Sequence, residues 1–181
     1  GTVTVSNAVA ITGSTAEVTA ALVTAGTLVE VTDATVTLND TPTISELNDI
    51  AAKTTGVVTA TLAANSLANL GSLNTASTDE ITITVNDNAG DTLTAVNLST
   101  LGGKTAGIVT VSNAVVITGD HDQVTAALVT DATKVVASTA LVTINDANGV
   151  AVAATELSAI GGATAGTVTV SNAVAITGDH D

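Results

Sequence analysis

The chain has 181 residues, with three Lys or Arg against 17 Asp or Glu, a net charge of -14 and no cysteine. Those numbers exclude disulfide scaffolds, thiolate zinc sites and a cysteine nucleophile, and so acidic a surface is repelled by nucleic acid and by anionic membranes. The apolar fraction is 45%, yet Phe, Tyr, Trp and Met are all absent. The expected core is therefore thin and lined by small branched side chains, without the rings that each bury about 150–250 Å².

Along the chain, residues 1–13 read GTVTVSNAVAITG, and Val3 and Val5 alternate with threonine as in a strand. Ser14 and Glu17 have the spacing of a capping box and open a helix with Val18, Ala21 and Leu22 on one face. Val36 and Leu38 mark the next strand. Thr43 with Glu46 opens a second helix carrying Ile44, Leu47 and Ile50. A degenerate copy of the opening begins at Gly56 with VVTATLAANSL, where Leu62 stands in place of the expected Asn and residues 60–80 leave the pattern. Ile81, Ile83 and Val85 form a strand, and Gly102 and Gly103 are expected to stop a helix. Residues 107–119 read GIVTVSNAVVITG, with a strand at Val109 and Val111. Asp120 and Gln123 then cap a helix bearing Val124, Ala127 and Leu128. Val142 and Ile144 predict a strand, Leu157 and Ile160 a helix ended by Gly161 and Gly162, and 166–178 repeats the first thirteen letters.

Self-similarity at this period predicts stacked supersecondary units. The unit starts at Gly1, Gly56, Gly107 and Gly166 divide the chain into 1–55, a degenerate 56–106, 107–165 and the start of a fourth unit at 166–181. Each unit divides again, because the segment from Val168 can be laid over the one from Val142. The expected fold is a repeat solenoid of parallel β-strands with a short helix in many coils, of about seven coils and about 34 Å at about 4.8 Å each. A string of antiparallel β-sandwich modules is the alternative.

Stacking in register turns a recurrent residue into a column. Asn7, Asp40, Asp87, Asn113, Asp146 and Asn172 each follow the last apolar strand residue by two positions. Alternation points them inward, where turn N–H groups of their own and adjacent coils would satisfy them. Calcium at Asp40, Asp87 and Asp146 is the other reading of that column. A second column is threonine: Thr2, Thr4, Thr35, Thr37, Thr59, Thr61, Thr82, Thr84, Thr167 and Thr169 pair on the outward face, with Thr110 and Thr143 continuing the row. Threonine is a strong β-former that tolerates water, and the same regular array suits a binding face for ice or glycan. The third feature is Asp120, His121 and Asp122, repeated as Asp179, His180 and Asp181. The carboxylates of Asp120, Asp122, Asp179 and Asp181 around an imidazole can hold a divalent ion. The equivalent Ser14, Thr15 and Ala16 offer only a helix cap.

Catalysis finds no constellation. No Ser-His-Asp set recurs, and LGGKT (101–105) and IGGAT (160–164) lack the spacing of a phosphate loop. The expectation is a protein that is not an enzyme, requires no cofactor and has calcium as a candidate ion.

The string LSAIGGATAGTVTVSNAVAITG, with VTAALV and VTINDANG, resembles repeats of very large secreted cell-surface proteins of cyanobacteria and other marine bacteria. The resemblance covers essentially the whole chain. It implies an exported sheath, filament or adhesin role at the extracellular cell surface, with calcium-dependent stiffening; phage and appendage fibres use similarly repetitive sequences. No apolar run approaches the roughly 18 residues of a membrane span, so direct insertion is not expected. The partners expected are further copies, joined end to end or laterally into a fibre, and other surface components, because neither end carries a recognisable capping unit.

Overall fold

The computed structural model describes residues 2–26 and 29–178. Gly1 and the second triplet, Asp179, His180 and Asp181, lie outside the described residues. The chain is α/β; the described residues form six α-helices and several sheets, and every pairing described is parallel. The antiparallel sandwich alternative is thereby corrected: among the described residues no tight hairpin joins successive strands, and each strand finds its partner only after an intervening helix or long turn.

By compactness the chain divides into two units that alternate along the sequence: Gly1–Ala64, Ser72–Ile83 and Lys104–Ile108 form one, and Asn65–Gly71, Thr84–Gly103 and Val109–Asp181 the other. In the first, β1 (Val3–Val5) pairs with β3 (Val29–Val31). Its larger sheet runs in the order β2 (Ala10–Gly13), β4 (Thr35–Leu38), β5 (Val58–Thr61) and the leading part of β6 (Glu80–Val85). Helices α1 (Thr15–Leu22) and α2 (Ile44–Ala51) follow β2 and β4. Both open with complete capping boxes, Ser14 with Glu17 and Thr43 with Glu46. Inward alternation buries Val36, Leu38, Val58, Ala60, Ile81 and Ile83, and the helices add Val18, Leu47 and Ile50. Each buried Val, Leu or Ile contributes about 1.5–3 kcal/mol, enough to hold helices only two turns long.

The second unit contains α3 (Leu67–Leu70), β7 (Thr92–Thr94), α4 (Ala95–Gly102), β8 (Val109–Val111) and β9 (Val116–Gly119). It continues with α5 (His121–Leu128), β10 (Val135–Val136), β11 (Leu141–Ile144), β12 (Ala151–Ala153), α6 (Ala154–Gly162), β13 (Val168–Val170) and β14 (Ala175–Thr177). One sheet runs β7-β9-β11-β13, while β8 pairs with β10 and β12 with β14. Val142 faces Val168, an offset of 26 residues, whereas Val152 faces Ile176, an offset of 24.

Helices α4 and α6 end at their glycines as expected, α4 at Gly102 with Gly103 as its cap and α6 at Gly162, but the cap residues Gly103 and Ala163 keep right-handed backbone angles. Gly102 is required instead by close approach, because a Cβ there would stand 2.1 Å from the Thr133 carbonyl oxygen. Helices α3 and α4, capped by Ser66 and Thr94, had no stripe singled out in the sequence; α3 is a single turn inside the irregular 60–80 stretch.

A Thr-x-Gly step recurs where a sequence unit begins. Thr54 Oγ1 donates to Ala34 O at 2.6 Å and accepts from Gly56 N–H at 3.0 Å. Thr164 repeats this with Ala140 O at 2.6 Å and Gly166 N–H at 3.0 Å. Thr105 likewise bonds Ile81 O at 2.9 Å and accepts from Gly107 N–H at 2.8 Å. The glycines are there because the chain presses on the backbone 22 to 26 residues earlier: a Cβ on Gly56, Gly107 or Gly166 would lie 2.3, 2.4 or 2.1 Å from a carbonyl oxygen.

Candidate functional site

The first N–H groups of a helix have no partner inside it, and here an aspartate from the turn after a later strand supplies one. Asp40 Oδ1 accepts from Thr15 N–H at 2.7 Å and from Thr15 Oγ1 at 2.5 Å. Asp87 Oδ2 accepts from Leu67 N–H at 2.7 Å. Asp146 takes the same place at α5, accepting from His121 N–H at 2.9 Å, with the ring Nδ1 of His121 2.7 Å from its other oxygen. The three aspartates suggested as calcium ligands thus each serve the first residue of a helix.

The asparagines of the column act differently, because an amide can donate. Asn113 Nδ2 donates to Asp87 O at 2.8 Å, and Asn172 Nδ2 to Asp146 O at 2.6 Å. The expectation that all six point inward is corrected: Asn7, Asp40 and Asn172 are exposed, Asp87 and Asn113 half-buried, and Asp146 alone is buried. A turn residue can meet a backbone partner at the rim without entering the core.

Threonines do align from strand to strand. Thr12, Thr37 and Thr59 follow one another across β2, β4 and β5, and Thr61 faces Thr82. In the other unit Thr94, Thr118, Thr143 and Thr169 make a row of four. Membership differs from the expectation, since Thr110 faces Val136 and Thr4 faces Glu30. Thr35 faces Ala10, Thr2 and Thr167 precede their strands, and Thr84 lies in β6 with its carbonyl accepting from Asn65 N–H. Thr118 stands in VITG, which has no pair of alternating threonines, whereas Thr94 belongs to the Thr92–Thr94 pair in TLT, a signal that was legible in the sequence.

The one group of side chains among the described residues able to converge on an ion is His121, Asp122 and Glu156, whose ligand atoms all lie within 4.8 Å of one another. His121 Nε2 stands 3.6 Å from Asp122 Oδ1 and 3.9 Å from Glu156 Oε2. The side chain of His121 is 14% exposed and that of Asp146 only 4%. Hydrogen bonding to Asp146 holds the His121 pKa above its ordinary value; partial burial opposes this, and the charges of Asp146, Asp122 and Glu156 reinforce it. Asp120 stands outside this group as the N-cap of α5, accepting from Gln123 N–H at 2.8 Å. Glu156 was not foreseen, since it lies 34 positions beyond Asp122 and only the fold joins them. Asp179 and Asp181 lie outside the described residues.

No protein-family model matches the chain, and no curated protein or solved structure is significantly similar to it. No helix among the described residues is long and apolar enough to cross a membrane.

Proposed function

We propose that this chain is a non-enzymatic repeat segment of a secreted or surface-exposed protein, wound as a solenoid and contributing length to a rod, filament, sheath or adhesin stalk. The carrying observation is the spacing of its strand pairs. Partners are 21 (Thr59 to Glu80) to 26 (Val3 to Val29) residues apart, and all are parallel. A chain that meets itself after each such interval adds strands in one direction, and every added turn lengthens it by about 4.8 Å. Lateral or end-to-end association with further copies and with other surface components would complete the assembly, and calcium would act as an optional stiffening ion on an acidic surface.

The test is small-angle scattering on the chain and on versions carrying one or two further copies of residues 107–165 inserted after Ala165, with calcium and after chelation. A maximum dimension that rises linearly, by about 10 Å per inserted unit, at constant cross-section supports the solenoid. Growth equal in all directions would overturn it.

The row Thr94, Thr118, Thr143 and Thr169 favours a second reading, a regular binding face for ice or glycan. Replacing Thr118 and Thr143 with Glu would abolish thermal hysteresis or glycan capture if that reading holds. A wild-type protein showing neither activity would exclude it.

A further inference from the structure

We propose that His121 Nε2, Asp122 and Glu156 form a binding site for a divalent cation of the zinc type, distinct in ligands and in chemistry from a calcium ladder. The imidazole of His121 anchors the site. Its Nδ1 is engaged by Asp146, whose side chain is 4% exposed. A histidine that donates Nδ1–H to a buried carboxylate has its orientation fixed and its Nε2 lone pair made more basic, as in carboxylate–histidine–metal arrangements generally.

Two carboxylates from different elements then face that nitrogen. Asp122 comes from the first turn of α5 and Glu156 from the first turn of α6. Neither is within hydrogen-bonding distance of Nε2, at 3.6 and 3.9 Å, whereas a cation placed among the three would be about 2.0–2.2 Å from each ligand atom after small side-chain movements. Glu156 Oε2 accepts from Ala153 N–H at 3.2 Å, which steadies it toward the cluster. Asp122 is 84% exposed and Glu156 38% exposed, so the site opens to solvent and water would fill the remaining coordination.

The donor set selects the ion. Calcium and magnesium take oxygen ligands, whereas one imidazole with two carboxylates suits zinc, nickel or cobalt. Thr15 occupies the equivalent place in the first copy and makes the same double contact with Asp40. That copy therefore has the aspartate without the ligand, so the aspartate contact serves the fold and the histidine adds binding.

The experiment is calorimetric titration of the full chain with zinc chloride and, separately, calcium chloride, in a His180→Ala background that leaves His121 as the sole imidazole. One zinc site per chain is expected, with at least tenfold preference over calcium and a rise in thermal midpoint on zinc addition. His121→Thr, which preserves a hydroxyl for Asp146, should remove the site while circular dichroism stays unchanged. Glu156→Gln should weaken it at least tenfold, Asp146→Asn should weaken it 10–100-fold, and Asp120→Asn, which keeps the helix cap, should leave it intact. Absence of zinc binding in the parent chain, or zinc binding undiminished in folded His121→Thr, overturns the proposal.

Discussion

Gly166 lies against the carbonyl of Ala140, so close that a Cβ built on it would stand 2.1 Å from the oxygen and 2.7 Å from the carbon. The same crowding recurs at Gly56 against Ala34 and Gly107 against Ile81. These are the glycines with which the sequence units begin, so the repeat boundary is a place where two backbone segments touch.

Gly166→Ala should therefore destabilise the chain by about 1–3 kcal/mol, the range for forced overpacking. Gly161→Ala has open space around the new methyl group and lies inside α6; it should be neutral or stabilising by up to about 1 kcal/mol. Urea denaturation of the two variants checks this. Equal stability of the two would mean that the backbone at Gly166 gives way without cost.

Thr164 is 8% exposed and its hydroxyl joins Ala140 O to Gly166 N–H. Thr164→Val keeps the shape and removes both bonds, leaving the buried Ala140 carbonyl and the half-buried Gly166 N–H without that partner. The expected loss is about 1–3 kcal/mol, measured by thermal or urea unfolding, with faster hydrogen exchange at the Gly166 amide as the local sign.

At Asn113 the amide donates to the main-chain carbonyl of Asp87. Asn113→Asp removes the donor and sets a carboxylate oxygen against a carbonyl oxygen, so it should cost about 1–3 kcal/mol. The loss should shrink as the pH falls and the new carboxyl protonates. A substitution as harmless at pH 7 as at pH 3 would show that the asparagine is not chosen for its N–H.

Acid should unfold the first unit partly through Asp40. The hydroxyl of Thr15, then its N–H, holds the Asp40 carboxyl below its usual pKa, and Ser14 does the same for Glu17 through its backbone N–H and then its hydroxyl. A carboxyl whose folded pKa lies below its unfolded value contributes stability above about pH 4, lost as the pH falls through the folded pKa. Thr15→Val removes the first cause and keeps the second. Carbon-detected NMR titration should show the Asp40 carboxyl moving up toward its ordinary value in that variant; an unmoved titration would reassign the cause.

Local chemistry alone made several features readable. Alternation of apolar residues with Thr marked the buried face of β4, β6, β8 and β11, because side chains at positions two apart share a side of the backbone, although Val3 in β1 is exposed. Ser14, Thr43 and Asp120 gave the starts of α1, α2 and α5, since a capping box needs only residues three apart. Near-identity of the Gly107 and Gly166 segments predicted units alike in structure.

What the chain meets when it returns is a different kind of information. That Asp146 serves His121, that Glu156 reaches the same imidazole, and that Thr143 stands between Thr118 and Thr169 all depend on the interval between strands. A change of one residue in that interval would put the opposite face of a strand in register. Composition, caps, strand faces and repeat boundaries belong to the sequence because they rest on neighbours within a few residues. The pairing of each carboxylate, threonine and glycine with its distant partner belongs to the tertiary structure, because only parallel stacking brings residues 20 or more positions apart within bonding distance.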